Sequence, residues 1–474
     1  MNVDTQIVNT RIVTPQGVIV GGVGIADGKI ACVFAGEYGP EAETTIDGEG
    51  KYLIPGLIDC HSHHGTYRSF DEDMKWNSAA SVVGGITTMG VMTKVTNMTH
   101  ERKDAPTADD VTSYLDHFDE ASDIVNNFSA ADAVFIFSIM TDDQAQEITK
   151  YMEVAGVNTF KFYFGYRDPR IWQAVPPTLG LPVWWDDGTA YLAFRQIADI
   201  AGLALCHAES NELVRVLVKE TWDRGLEGLA AWNDKSPGFV EAHDIRTIGS
   251  LSQWTGAPFY IVHCSSKEAV DEIERCKDAG LDVVAETGAH YLTLALDTDP
   301  PAGGNWAKVN TPIRTSDHRT ALWEAVRTGV IDTLATDNVG GSRALLEKDS
   351  DIWHCRPGFE SAQHVLPAMM THVAAGTISI EHLVEIACLN PAKAMRVYPQ
   401  KGVIKVGSDA DLVLVDPNES RTAGIDELVS GGDYNIFEGR TFTGWPSMTL
   451  LRGKVVARDG TVVDDNHGRY VKRT

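Results

Sequence analysis

The chain has 474 residues, 43% hydrophobic and 8% aromatic, which is enough for a large core and too long for one small domain. Its formal charge of −26 sets it against nucleic acid and anionic membranes, both of which would repel it. There is no run of about 18 apolar residues to span a membrane, no basic-then-apolar opening typical of a secretory signal, and seven scattered cysteines form no C-x-x-C pair, so the expected setting is a reduced cytoplasm.

Residues 1–55 read as β structure. "TQIVNTRIVTP" and "GVIVGGVGIADGKIACVFAG" alternate apolar with polar or small residues, and Asp27-Gly28 between two such runs signals a hairpin. The far end repeats the pattern in "GSDADLVLVDP", "TGWPSMTLLRGKVVARDG" and "GTVVDDNHG". Residues 1–55 and 395–474 are therefore expected to build one small β domain together. Residues 56–394 alternate short apolar runs with amphipathic segments. The strand candidates, in order, are "YLIPGLID", "GGITTMGVM", "DAVFIFSIM", "NTFKFYFGY", "LALCH", "FYIVHCSS", "DVVAET" and "IDTLATD". Helical segments such as "DDQAQEITKYMEVAG" and "SKEAVDEIERCKDAG" lie between most of them, and most close on Gly. The fold class predicted is α/β, a TIM-like (β/α)8 barrel. A doubly wound open sheet is the alternative, disfavoured because no G-x-G-x-x-G follows the first strand.

Barrel enzymes work at the C-terminal ends of their strands. There the first run ends in His61 and His63, the fifth in His207, the sixth in His263 and the eighth in Asp337; the fourth contains Lys161. Alternate side chains of a strand share a face, so His61 and His63 have the spacing two imidazoles need to hold one ion. Imidazole and carboxylate are ligands for Zn²⁺ and similar ions. Two histidines and an Asp could hold one metal, and His207 with His263 a second. A lysine ammonium is no ligand, but the carbamate it forms with CO2 could bridge two ions about 3.5–4 Å apart. Taken singly, a strand-end histidine is more often a satisfied polar residue. Lys161 between two phenylalanines could reach solvent, and Asp337 could cap a helix. Coincidence on five separate strands favours the metal reading. His64 is assigned a structural or supporting role, and Cys206 and Cys264, each beside a proposed ligand, are expected to point away from it and pack.

"PGLIDCHSH", "TFKFYFGY", "CHAES", "VHCSS", "ATDN" and "NPAKAMRVYPQKGVIKVGSDADLVLVDP" resemble the amidohydrolase superfamily, nearest its cyclic amidohydrolases: dihydropyrimidinase, hydantoinase and allantoinase. The resemblance implies a barrel with a composite β-sandwich domain and a binuclear centre, usually zinc, with manganese or cobalt as alternatives. Carried over, His61, His63 and Asp337 hold one metal, His207 and His263 the other, and carboxylated Lys161 bridges them. Tyr166 matches the tyrosine that hydrogen-bonds the oxyanion, and Asn310 a position that contacts the cyclic amide through its main chain. The implied reaction opens the C–N bond of a hydantoin, dihydropyrimidine or related ureide or imide ring through a metal-bridging hydroxide, with Asp337 carrying the proton. An allantoinase-type or linear-amide hydrolase is the alternative, and a non-enzymatic scaffold a further one, disfavoured because every ligand position is filled. A homotetramer is the implied assembly. Three features depart from relatives: Gly65 follows "HSHH", where dihydroorotases carry an Arg; His354 and Cys355 stand before the "PG" of "WHCRPGFE"; and Asn338 follows Asp337, where His is frequent. The stretch "RDPRIWQAVPPTLGLPVWWDDG" carries Trp172, Trp184 and Trp185, expected either to pack on the barrel or a subunit contact or to form an aromatic lid over an apolar ring substituent.

Overall fold

The structure is a computed structural model, and it describes residues 2–36, 39–101, 108–166 and 186–473, with only the main chain of Ala108 and Tyr166. The tryptophan-bearing expectation at residues 167–185 lies outside them. Both chain ends enter one mixed sheet. Its strands are β1 (Asn2–Thr14), β2 (Gly17–Ala26), β3 (Lys29–Ala35), β4 (Glu41–Asp47) and β5 (Tyr52–Pro55). To these are added β15 (Leu412–Thr422), β16 (Thr441–Leu451), β17 (Lys454–Arg458) and β18 (Thr461–Val462) from the far end. The order is β18-β17-β16-β15-β5-β1-β2-β3, with β4 beside β1. The two ends meet where β5 pairs with both β1 and β15. The Asp-Gly signal holds: Ala26 pairs with Lys29, and Asp27 and Gly28 take φ of 52° and 73°, as a two-residue hairpin turn requires.

The second sheet is parallel and curls into the barrel. It comprises β6 (Leu57–His63), β7 (Ile86–Thr93), β8 (Asp132–Ser138), β9 (Thr159–Tyr163), β10 (Leu203–His207), β11 (Phe259–Ile261) and β12 (Val283–Gly288) in consecutive order. The eighth strand is split into β13 (Thr333–Ala335) and β14 (Asn338–Val339). Its first half pairs with β12 and its second with β6, so the strand hands over from one neighbour to the other across Thr336 and Asp337. "YLIPGLID", which reads as one strand, is divided at Gly56 between the two sheets. A side chain at Gly56 would stand 2.1 Å from Thr87 Oγ1, so only glycine fits where the chain passes between them.

Strand alternation separates two apolar layers. Val134, Ile136, Leu203, Leu205, Tyr260 and Val262 form one cluster; their neighbours Phe135, Phe137, Ala204, Cys206, Phe259 and Ile261 belong to the layer packed with the helices. Burial on both faces explains why these strands read as continuous apolar runs rather than alternating ones. The helices fall where the periodicity puts them, for example Lys267–Asp278 and Ser316–Thr328, the latter closed by Gly329 at φ 77°. "DDQAQEITKYMEVAG" is broken at Glu147 into Asp142–Gln146 and Ile148–Ala155. Among the described residues no helix is long and apolar enough to cross a membrane.

Candidate metal centre

The six side chains singled out in the sequence converge at the C-terminal rim. His61 Nε2, His63 Nε2 and Asp337 Oδ1 form a triangle with each side 3.2 Å. His207 Nδ1 lies 2.8 Å from His263 Nε2, and Lys161 Nζ 3.5 Å from His61 Nε2. Ring centroids of His61 and His263 are 5.3 Å apart, so the two groups are contiguous. His63 and His207 end β6 and β10, and Lys161 is the middle residue of β9. His263 and Asp337 lie just beyond strand ends, with left-handed φ of 42° and 50°. Such conformations are costly for non-glycine residues and persist where surrounding structure holds them, often at functional sites.

A second layer of carboxylates aims the imidazoles. Glu286 accepts from His61 Nδ1 at 2.8 Å, from His263 N–H at 2.9 Å and from Tyr260 Oη at 2.7 Å. A proton on His61 Nδ1 leaves the Nε2 lone pair facing the triangle, the arrangement that orients metal-binding histidines. Glu209 does the same for His207: it meets Nε2 at 2.9 Å and Lys235 Nζ at 3.1 Å, leaving Nδ1 toward His263. Asp59 accepts from the N–H of His61 at 3.1 Å and from Thr336 N–H and hydroxyl at 3.0 and 2.6 Å, tying the first strand to the residue before Asp337.

The electrostatics fit divalent cations. Burial, reinforced by the Lys161 charge, holds His61, His63, His207 and His263 below the usual imidazole range, so they stay neutral and able to ligate. Burial pushes Glu286 up to about 8 and Asp59 up to about 7. These acids want more positive charge nearby than the protein supplies. Burial would also raise Glu209, but Lys235 and His207 hold it well below the carboxylate range. Ligands 2.0–2.1 Å from one tetrahedral ion stand about 3.3 Å from each other, close to the sides of the triangle. Burial brings Lys161 down to about 8 against the pull of Asp337 and Glu286, leaving a share of neutral amine of the kind that reacts with CO2.

The remaining expectations are placed as follows. Tyr166 ends a short turn, Phe164–Tyr166, directly after β9, and its side chain lies outside the described ones. Asn310 lines the cavity over the cluster, and its side-chain oxygen accepts from Trp232 Nε1 at 3.1 Å and Lys235 Nζ at 3.3 Å. His64 is buried with Nε2 3.0 Å from Ser62 Oγ, and burial takes it down to about 3. Cys206 and Cys264 are free thiols in the apolar layer. His354 pairs with Asp351 at 2.8 Å away from the cavity, which Pro357 and Gly358 line instead. Sequence reasoning missed Glu286 and Glu209 and gave Asp59 no role. The available signal was an acid within, or shortly after, a run that should be buried.

Residues 258–456 match the model of the amidohydrolase family, and residues 6–45 match the allantoinase composite domain. An L-hydantoinase of Paenarthrobacter aurescens is 31% identical over 99% of this chain and 98% of its own length. A D-hydantoinase of Streptomyces coelicolor is 31% identical over 98% of this chain and 96% of its own. The solved L-hydantoinase (dihydropyrimidinase) from Arthrobacter aurescens superposes with a TM-score of 0.88 at 30% identity, covering 99% of this chain and 100% of that one. With sequence and fold matched over nearly its whole length, the chain belongs to the amidohydrolase family, among its hydantoinase-, dihydropyrimidinase- and allantoinase-like cyclic amidohydrolases.

Proposed function

We propose that the protein hydrolyses the C–N bond of a small cyclic amide: a hydantoin, a dihydropyrimidine or a related ureide or imide ring. The observation that carries the reading is the convergence of four neutral imidazoles, Asp337 and a buried lysine at one rim, in a chain of this family. The names of the hydantoinases support the ring class, and the match of residues 6–45 to an allantoinase domain keeps ureides within it. In this reading His61, His63 and Asp337 hold one divalent cation and His207 and His263 a second, with zinc the first choice and manganese or cobalt substitutes.

Bound there, two cations would supply Lewis acidity, bringing the pKa of water toward neutrality and polarising the ring carbonyl. Neutral Lys161 would add its nitrogen to the carbon of CO2, losing one proton and becoming a carbamate whose two oxygens and negative charge would help hold the cations. Asp337 accepts a proton at the attack and returns it to the ring nitrogen as the C–N bond breaks, a transfer worth about 10²–10⁴ in rate. Tyr166 donates a hydrogen bond to the carbonyl oxygen as it gains charge, and the Asn310 main chain orients the amide edge. Glu286 and Glu209 keep His61 and His207 in the tautomers that ligation needs.

The test combines metal analysis of the purified protein with a panel of hydantoins, dihydropyrimidines, allantoin and open-chain amides. Bound metal and ring opening are expected; a metal-replete sample inert toward every ring, or one that prefers open-chain amides, would overturn the reading. Lys161→Ala is expected to lose most activity and to recover part of it with short-chain carboxylates, which can stand in for the carbamate. Sedimentation checks the homotetramer carried over from the resemblance.

A further inference from the structure

Two of the segments that line the cavity over the cluster are Val309–Asn310 and Pro357–Gly358. Each is tied to the chain beside a proposed ligand. The Thr311 hydroxyl donates to the His263 carbonyl at 3.0 Å. Val339, two residues beyond Asp337, donates its N–H to the Phe359 carbonyl at 3.0 Å. Gly358 lies so close to the same valine that a Cβ added to it would stand 2.6 Å from Val339 Cβ.

Lys308 joins the two segments. Its carbonyl accepts from Gly358 N–H at 2.8 Å, and its Nζ donates to the carbonyls of Cys355 at 2.6 Å and Trp353 at 3.4 Å. The same ammonium lies 4.0 Å from the centre of the Trp232 ring. That indole donates to the Val309 carbonyl at 2.9 Å and to the Asn310 side-chain oxygen at 3.1 Å. Lys348 adds a third hold on the stretch before Pro357, donating to the Arg356 carbonyl at 2.8 Å. Lys308 is 0% exposed, and its Nζ meets these carbonyls and the ring rather than a carboxylate. Burial brings it down to about 7. Keeping an ammonium from water without a carboxylate is unfavourable, and a methionine would fill the space without that cost. Packing alone therefore does not call for a charge here. What the charge adds is strong, directed bonds to carbonyls and a grip on an indole face.

We propose that Lys308 and Trp232 are positioning residues that fix the spacing between Val309–Asn310 and Pro357–Gly358, and so the fit of the ring in the cleft over the cluster. This rests on the ring-opening reading above. The test uses the metal-loaded full chain and hydantoin, dihydrouracil or allantoin, whichever the wild type opens. In Lys308→Met, KM rises about tenfold with a smaller change in kcat, while metal content holds. Amide hydrogen exchange, followed in the same variant, quickens about tenfold in peptides spanning Val309–Asn310 and Gly358 but not in β12. An unchanged KM overturns the assignment. So does a loss confined to kcat or one that tracks lost metal, since either would put the lysine in support of the cluster rather than of the cleft. Unaltered exchange overturns it as well. Trp232→Phe keeps a ring but loses the indole donor, and it serves should Lys308→Met not fold. A raised KM with faster exchange at Val309–Asn310 supports the assignment there, and neither change sinks it. Failure of ring opening is distinguishable: if the wild type opens no ring of the panel, the proposed function falls. Exchange then decides the spacing alone, with quickening in Lys308→Met supporting it and none overturning it.

Discussion

The two ends of the barrel each bury a trio of side chains able to surround an ion, and they treat charge in opposite ways. At the N-terminal end, Asp132 opens β8 and meets Asp409 and Asp411. Lys401 Nζ stands 2.7 Å from Asp132, 2.5 Å from Asp411 and 3.4 Å from Asp409, and Arg452 also pairs with Asp132. Burial works against the Lys401 charge, but the three carboxylates hold its pKa above the usual lysine range. At the C-terminal end, His61, His63 and Asp337 form the matching trio, and burial pushes the supporting acids upward while Lys161 is driven toward neutrality. Donor geometry alone therefore does not mark a metal site. The lower trio already contains its cation; the upper one has neutral imidazoles and no such partner among the described residues, as the proposed metal site requires.

That contrast can be broken by substitution. Asp337→Asn removes both the proposed anionic ligand and the proposed proton carrier, and kcat is expected to fall about 10²–10⁴-fold. Steady-state kinetics with metal content measured alongside would refute the role if activity stayed within tenfold. Lys401→Met leaves three buried carboxylates short of their cation and is expected to cost about 3–5 kcal/mol of stability. Urea unfolding reads the shift in midpoint, while kcat per bound metal stays put. A loss of kcat with no loss of stability would invert the assignment of the two ends.

Smaller effects sharpen the picture. Glu286→Gln weakens the aim of His61 and is expected to lower metal affinity about 10–100-fold, measured by chelator competition. Unchanged affinity would refute the aiming role of Glu286. Asp73 adjoins the rim, accepting from Gly65 N–H at 2.9 Å, and burial raises it from 3.8 to about 7. Its folded pKa exceeds its unfolded one, so its favourable contribution is full below pH 4 and is lost as the pH rises to about 7. Asp73→Asn lacks that decline. The stability of wild type relative to the variant should fall across this window by up to about 1.4 kcal/mol per pH unit, read by unfolding at several pH values; a flat difference would contradict the burial account.

Much of this was legible before any coordinates. The barrel could be read because its strands are buried on both faces and punctuated by amphipathic helices. The rim could be read because His61 and His63 keep the strand period and because His207 and Asp337 close apolar runs. What escaped reading lies where the chain leaves regular geometry or acts across sequence distance. "FYIVHCSS" gives no hint that β11 stops at Ile261 and that His263 is turned by a left-handed backbone. Nothing near Glu286 reveals that it serves His61, 225 positions away. The split at Gly56 depends on the Thr87 side chain from the next strand.

The handover in the eighth strand has a consequence for how this protein would fail. Its ring of strands is sewn shut at Thr336 and Asp337, so the stitch and the proposed proton shuttle are neighbouring residues of one short link. Warming that loosens the stitch by even a fraction of an ångström would disarm the catalyst while the rest of the wall still stands. Heat inactivation should therefore run ahead of melting.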